Sequence, residues 1–537
     1  MDRSTTQFDK YTKIWSGPRP ASFFDVDCSI GKILFAFMRN HPNSICQISD
    51  TEGTALTNGE AITFAIRIAQ QLKAMGLKQD DVVGIMGTNT TYLMPVLLGC
   101  LLNGTPFHAV SPWQDEGTIK HLFSITRPKL IFCDGKCFQR LSIIARILKS
   151  HVYTLKDHRL GMPRVEDLLE PTRAELYYVP ETLLLGGDHT VAILCTSGTT
   201  GPPKAVCISN SACLFDFGFV TGQDVLLSFS TIDWSAGMFN MLFSCCHGST
   251  RIIPDRPYTP EYMIQLVEKY KVTLLTVVPQ QVASLLKSPK TSAQKLRSIK
   301  HLLFAGGHCL VATLKKMQSF LHGSGILRNA YGLTEVGTMV SYNYDTQSKP
   351  TSVGRLMANI RVKIVDSSGE LQGPKGLGEI LCHNGQPWSG YVGNPQATAE
   401  MRDSAGWYHT GDVGYFDEDH HLHIVERKKD MLKYLGMMYY PHEVEEVIGQ
   451  MPDVAEVCVF GIFRETEGDA AAASVVLRSG SKLDPKHVEQ YVRKNVSVQF
   501  KHLHGGVQFV PQLAKSANGK VNRQAVKAAY LRDATQS

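Results

Sequence analysis

The sequence predicts an α/β protein with a large, multi-subdomain α/β N-terminal part, a small β unit inside it, and a smaller α+β C-terminal part. Three observations lead there. At 537 residues the chain is too long for one core. Its first two-thirds alternates helix-period and buried-strand patterns, the mark of a layered α/β fold. Between about 350 and 425 the rhythm changes to short strands with Gly and Pro turns.

Residues 60–75 place Ile62, Ala65, Ile66, Ala69 and Leu72 on one helical face and stop at Gly76. Residues 81–87 then read as a strand, and 129–133 and 272–279 repeat the theme. The apolar run Val191-Ala192-Ile193-Leu194 reads as another buried strand, as does 299–304, which ends in Ala305-Gly306-Gly307. In the β unit, 360–365 is a strand and 414–425 is hairpin-like. The charged run Glu426-Arg427-Lys428-Lys429-Asp430 marks a domain boundary and reads as a solvated linker. A helix begins near Pro441, and a compact α+β segment runs to the end. No internal repeat or low-complexity tract interrupts this order.

Composition narrows the class. A hydrophobic content of 43% is ordinary for a globular protein, and a net charge of +6 is mild for this length. Lys and Arg are interspersed with acids, which argues against nucleic acid and fits a site for small polyanions. The 13 cysteines show no zinc-type pairing; Cys133/Cys137 and Cys245/Cys246 have the wrong spacing. Cys195, Cys207 and Cys458 lie in apolar context and suit a reducing compartment. Residues 1–10 have no apolar core of a secretory signal. The apolar stretch 92–102 is broken by Pro95 and Gly99 and is too short to span a bilayer, so no transmembrane segment is expected. The last residues lack a peroxisomal S-K-L address. A cytoplasmic location is expected, with peroxisomal import by another signal left open, as is the oligomeric state.

One stretch carries chemistry on its face. Thr196-Ser197-Gly198-Thr199-Thr200-Gly201-Pro202-Pro203-Lys204 follows the strand 191–194. Hydroxyls and glycines in such a turn offer backbone N–H groups and side-chain donors to an anion, and the closing lysine adds a point charge. It is not a Walker loop, because the glycines are spaced G-x-x-G and no Ser or Thr follows the lysine.

Further motifs follow in order: Tyr331-Gly332-Leu333-Thr334-Glu335; Gly376-Leu377-Gly378-Glu379-Ile380; Gly390-Tyr391; Gly406-Trp407-Tyr408-His409-Thr410-Gly411-Asp412; Arg427 to Gly436; Pro441-His442-Glu443-Val444-Glu445; and Leu513-Ala514-Lys515-Ser516-Ala517-Asn518-Gly519-Lys520. With these the chain resembles the adenylate-forming superfamily of acyl- and aryl-CoA synthetases, 4-coumarate–CoA ligases, insect luciferases and nonribosomal adenylation domains. The resemblance covers roughly Leu56 to Arg523.

It implies a domain 1–426 with a small β-barrel-like unit at 350–426, a hinge at 427–430 and a mobile C-terminal domain 431–537. It implies ATP and coenzyme A as cosubstrates, Mg2+ as cofactor, and a carboxylic acid that attacks the α-phosphorus to give acyl-AMP and pyrophosphate. Both that step and the thioester step pass through crowded anionic transition states that need positive charge and donors.

The resemblance also assigns roles. Thr196 to Gly201 and Lys204 would embrace the β- and γ-phosphates. Gly306, Gly307 and His308 would frame the adenine, with Asn329, Tyr331 and Gly332 beside it and Tyr331 offering an aromatic face. Thr334 and Glu335 would meet the α-phosphate, and Glu335 with Thr199 would meet Mg2+. Asp412 would accept from the ribose hydroxyls, with Arg427 nearby. Lys520 would reach the α-phosphate during adenylation. Lys429 falls at the hinge position. Lys433, Leu435 and Gly436 belong to the face presented for thioester formation, Lys433 as a catalytic residue and the other two toward coenzyme A. Trp234 and Met238, next to Phe239, would line an acyl pocket for a hydrophobic acid, fatty or aryl.

Some positions depart from the family pattern. Ala205 replaces a usual glycine, Asn210 stands where many members carry His, and Ala514 replaces a proline. Trp234 occupies the place of a luciferase pocket His and argues against light emission. Leu435 stands where related ligases carry a coenzyme A-contacting Lys. The expected activity is therefore an acid–CoA ligase. The alternatives are a luciferase-like oxygenase or an adenylating enzyme with another thiol acceptor. A degenerate nucleotide-binding protein is disfavoured because Lys204, Glu335, Asp412, Arg427 and Lys520 occur together.

Overall fold

The computed structural model describes residues 5–19, 24–196, 203–214, 219–307, 309, 311–321, 323, 325–435, 437–464, 467–516 and 519–536. The helix read at 60–75 spans Asn58–Ala74. Thr57 caps it: its side chain accepts from the Glu60 N–H while the Glu60 carboxylate accepts from the Thr57 N–H. Its apolar face packs on the helix Leu93–Asn103, in which every residue is buried. A Cβ on Gly99 would lie 2.7 Å from Ile68 Cγ2, so glycine is what lets the two helices approach. The interrupted apolar stretch of the sequence is thus a core helix. Leu97, Leu98 and Leu102 each contribute about 1.5–3 kcal/mol by burial there.

Two α/β layers build the N-terminal part. One is a six-stranded sheet in the order Lys204–Ser209, Thr190–Thr196, Phe107–Ala109, Val83–Met86, Leu130–Cys133, His151–Thr154. Its pairs are parallel except the first, which is an antiparallel hairpin joining Lys204 to Thr196. The other is a nine-stranded sheet. Six of its strands run parallel, from Ile45–Ser49 through Thr250–Ile253, Val225–Ser228, Leu274–Val277 and His301–Ala305 to Ile326–Leu333, with antiparallel strands at both ends. In such a sheet the carboxyl ends of the strands are where ligands dock, and Gly306 follows one of those ends.

The β unit is an antiparallel six-stranded sheet. Gly378–His383 pairs with Arg361–Val365 on one side and Tyr408–Phe416 on the other, and Leu422–Arg427 closes one edge. The other edge is supplied by Gln7–Asp9 and Ile14–Ser16 from the chain start. Trp15, fully buried, stacks on Phe416 with ring centroids 4.4 Å apart. The smaller C-terminal domain is a five-stranded sheet around Gly468–Leu477, with Pro441–Gly449 and Pro485–Asn495 enclosing one core and Arg523–Gln536 contributing to a second.

Arg427 and Lys428 of the charged run are exposed, while Glu426 is drawn into the fold. Glu426 is an ion-pair partner of Arg523 at 3.1 Å, Arg427 of Asp412 at 2.7 Å, and Lys428 of Glu379 at 2.9 Å. The first of these pairs crosses to the C-terminal domain, and the other two tie the run to the β unit. A second junction contact is made by Glu456, which meets Lys287 of the N-terminal part at 3.6 Å and Lys515 at 2.8 Å. All thirteen cysteines are free thiols. Among the described residues no helix is long and apolar enough to cross a membrane.

Candidate nucleotide site

The site forms where three strand ends and the C-terminal domain converge. Asp412 lies on Tyr408–Phe416 and is 4% exposed. Its Oδ2 accepts from the Tyr331 hydroxyl at 2.7 Å, and its Oδ1 meets Arg427 Nε at 2.7 Å. Burial raises the Asp412 carboxyl above its ordinary value, while Arg427 and the Tyr331 hydrogen bond pull the other way. A carboxylate with each oxygen fixed by a donor is preorganised to accept further hydroxyls.

Lys520 reaches this cluster from the C-terminal domain. Gly306 turns with φ +85°, and a Cβ there would stand 3.2 Å from Lys520 Cε. Burial and then the Arg427 charge lower the lysine's pKa, and Asp412 opposes them. Gly307 lies beside Pro279, and Asn329 donates its amide to the Ser352 carbonyl at 3.3 Å. Tyr331 is only 8% exposed and its ring packs in the core of the β unit. What this structure shows is its hydroxyl at work on Asp412.

A second group lies beside the first. Glu335, in the turn after Ile326–Leu333, accepts the Tyr391 hydroxyl on Oε1 at 2.8 Å. Lys204 holds its Nζ 4.8 Å from the centre of the Tyr391 ring. Asp412, Tyr331 and Glu335 each favour the Arg427 charge, which ties the two groups electrostatically. Thr334 is half-buried in the same turn as Glu335, while Gly332 is exposed.

Other expected residues stand apart. Lys433 and Leu435 lie at the Leu432–Tyr434 hairpin of the C-terminal domain, Lys433 exposed and Leu435 63% exposed with φ +48°. Trp234 is the half-buried residue capping the helix Ser235–His247. Met238 is 1% exposed and packs in the main core with Ile30, Leu101 and Leu242. Ser197, Gly198, Thr199, Thr200, Gly201, His308 and Gly436 lie outside the described residues, as does the side chain of Lys429. Asn210, which departs from the family pattern, is fully buried and holds the start of the helix Ile30–Asn40, accepting from the Ile30 N–H at 2.8 Å.

Chemically, cations from Lys204, Arg427 and Lys520 face carboxylates from Asp412 and Glu335. That alternation suits a polyphosphate whose sugar hydroxyls meet one acid and whose oxygens share a metal with the other. Among the described residues no three His, Cys, Asp or Glu side chains could cage a metal ion. A lone carboxylate such as Glu335 still fits Mg2+, which keeps several waters and shares phosphate oxygens.

Comparison with known proteins settles the class. The model of the AMP-binding enzyme family matches residues 34–392, and that of the AMP-binding enzyme C-terminal domain matches 443–520. The chain belongs to the AMP-binding enzyme family. This adenylate-forming enzyme is 27% identical to luciferin 4-monooxygenase of Photinus pyralis over 531 residues, covering 95% of this chain and 96% of the relative. It is 26% identical to 4-coumarate–CoA ligase 3 of Arabidopsis thaliana over 503 residues, covering 90% and 88%. The ATP-bound structure of MatB from Rhodopseudomonas palustris shares its fold with a TM-score of 0.84 at 24% identity, covering 93% of this chain and 99% of that one.

Two parts of the site escaped sequence reasoning. Tyr391 stood within a quoted motif with no role assigned, and the Glu426–Arg523 pair joins residues 97 positions apart. Neither had a local signal beyond the motif itself.

Proposed function

We propose that this AMP-binding enzyme is an acid–CoA ligase. It activates a hydrophobic carboxylic acid, fatty or aryl, as acyl-AMP with release of pyrophosphate, and then forms the coenzyme A thioester. The observation that carries the reading is Lys520, delivered by the C-terminal domain to Gly306, Asp412 and Arg427. A lysine there is placed to stabilise charge at the α-phosphate as the acid attacks.

In this reading Asp412 accepts from the ribose and Arg427 backs it. Residues 196–201 and Lys204 hold the departing pyrophosphate, Gly306, Gly307 and His308 frame the base with Asn329, Tyr331 and Gly332, and Thr334 meets the α-phosphate. Glu335, with Thr199, would hold Mg2+, which supplies charge neutralisation on the phosphate oxygens. Residues 427–430 form the hinge, with Lys429 as pivot. Rotation of residues 431–537 about it withdraws Lys520 and presents Lys433, Leu435 and Gly436 for the thioester step, a hinge motion between two packings. Trp234 and Met238 belong to the acyl side.

One observation favours another acceptor thiol: the exposed Leu435 offers no charge to a phosphorylated acceptor. A pyrophosphate-release screen over short, medium, long and aromatic acids, with and without coenzyme A, tests both readings. Thioester with a hydrophobic acid is expected. Adenylate without thioester in the presence of coenzyme A would overturn the ligase reading.

A further inference from the structure

Tyr391 joins two parts of the site that lie far apart in the chain, and its surroundings hold it there. Gly390 turns with φ +86°, where a Cβ would stand 2.4 Å from Thr398 Cγ2, so only glycine makes this turn. The Tyr391 N–H donates to Thr398 Oγ1 at 2.9 Å. On either side, the Gly390 carbonyl accepts from the Cys207 N–H at 3.0 Å and the Val392 N–H donates to the Ala205 carbonyl at 2.9 Å. The segment is therefore stitched along the strand Lys204–Ser209, which leads directly out of the phosphate loop. The Trp388 ring meets the Tyr391 ring edge-on at 5.3 Å, and its Nε1–H donates to the Cys207 carbonyl at 3.0 Å.

This leaves Tyr391 6% exposed with both ends engaged. Its ring carries the Lys204 ammonium at 4.8 Å, and its hydroxyl donates to Glu335 Oε1 at 2.8 Å. A cation over an aromatic face and a hydroxyl on a carboxylate are both favourable, and both strengthen away from water. One rigid side chain with two torsions thus orients a cation and an anion whose backbones are 131 positions apart.

We propose that Tyr391 is a positioning residue for the nucleotide and its metal, its hydroxyl aiming the Glu335 carboxylate and its ring holding the Lys204 ammonium at the start of the strand Lys204–Ser209. The inference rests on the adenylation reading of Glu335 and Lys204 and adds what sets their geometry.

The two functions separate by substitution in the full-length protein. Tyr391→Phe keeps the ring and removes the hydroxyl; Tyr391→Leu removes both. Mn2+ binding is read by electron paramagnetic resonance in the presence of α,β-methylene-ATP, and the affinity for that analogue without metal is read by calorimetry in EDTA. Tyr391→Phe is expected to weaken Mn2+ binding roughly tenfold, the worth of a hydrogen bond to a charged group. It should leave metal-free analogue affinity within about twofold. Tyr391→Leu should weaken both, the metal-free affinity by about fivefold through the loss of the cation–ring contact. Wild-type Mn2+ affinity in Tyr391→Phe overturns the hydroxyl's role, and equal metal-free affinities in the two variants overturn the ring's. Should Tyr391→Leu fail to fold, Tyr391→Phe decides the hydroxyl alone and Lys204→Met, measured for metal-free affinity, decides the ring's partner. A wild-type protein that binds neither analogue nor metal would instead sink the adenylation reading on which the inference stands.

Discussion

Removing one oxygen from Tyr331 should move the acid limb of activity. In the structure its hydroxyl donates to Asp412 Oδ2 at 2.7 Å, and both side chains are buried. Asp412 is balanced between burial, which raises its pKa, and three opposing groups, Arg427, Tyr331 and Lys520. Tyr331→Phe deletes one of the three and leaves the Arg427 contact at 2.7 Å intact. A hydrogen bond to a charged group is worth about 1.5–3 kcal/mol. At about 1.4 kcal/mol per pKa unit, the carboxyl should rise by roughly one to two units. The ionised form, proposed above to accept from the ribose, is then lost at higher pH as the solution is acidified. The assay is kcat/KM for ATP in ATP–pyrophosphate exchange between pH 5 and 9, because that ratio reports groups of the free enzyme. The acid limb of the variant should lie about one to two pH units above that of the wild type. Superimposable limbs, with the variant folded by thermal melting, would refute the assignment of Asp412 as the titrating acceptor.

The remaining expectations concern the domain junction and the core. Lys520→Ala should abolish pyrophosphate exchange yet spare thioester formation from preformed acyl-AMP; equal loss of both half-reactions counts against the two-conformation scheme. Lys433→Ala should hurt mainly the thioester step, and an adenylation defect as large as that of Lys520→Ala would refute its role. Arg523→Met strands Glu426 and Glu445 and should cost about 3–5 kcal/mol in urea unfolding at pH 8. The Glu426 carboxyl is pushed up to about 7 by burial, so at pH 6 it takes a proton and the loss should shrink; equal losses at the two pH values would contradict this. Burial and Arg328 lower His301 to about 4, so the native protein keeps it neutral while the unfolded chain protonates it below about 6.5. Stability from this group is full above about 6.5 and falls as the pH drops toward 4. His301→Gln should reduce that slope by close to one proton, and an unchanged slope would exclude His301 as its source.

Much of this was legible in the sequence where the signal is local. The helix Asn58–Ala74 appears because its apolar residues repeat at helical spacing and Gly76 ends it. The strand ends before residues 196–204 and at Gly306 appear because one apolar run gives way to hydroxyl residues and the other stops at glycine. Other elements carry no such signal. Gln7–Asp9 and Ile14–Ser16 are three residues each and become strands only because the β unit has an edge to complete. The run 426–430 reads as a charge cluster, and nothing within it names Arg523, Asp412 and Glu379 as its partners. The hold of the Tyr331 hydroxyl on Asp412, 81 positions away, has no local signal either.

By itself the sequence determined the class of chemistry. The order of short motifs specifies which residue types line a nucleotide site, because backbone turns, phosphate cradles and strand ends are set within a few residues of chain. Only the tertiary structure decided which charges answer one another. Asp412 with Tyr331 and Arg427, Lys520 with Gly306, and Tyr391 between Lys204 and Glu335 are contacts across as many as 214 positions. Each side chain's aim depends on a neighbour that packing alone supplies, and that neighbour is not encoded in local spacing.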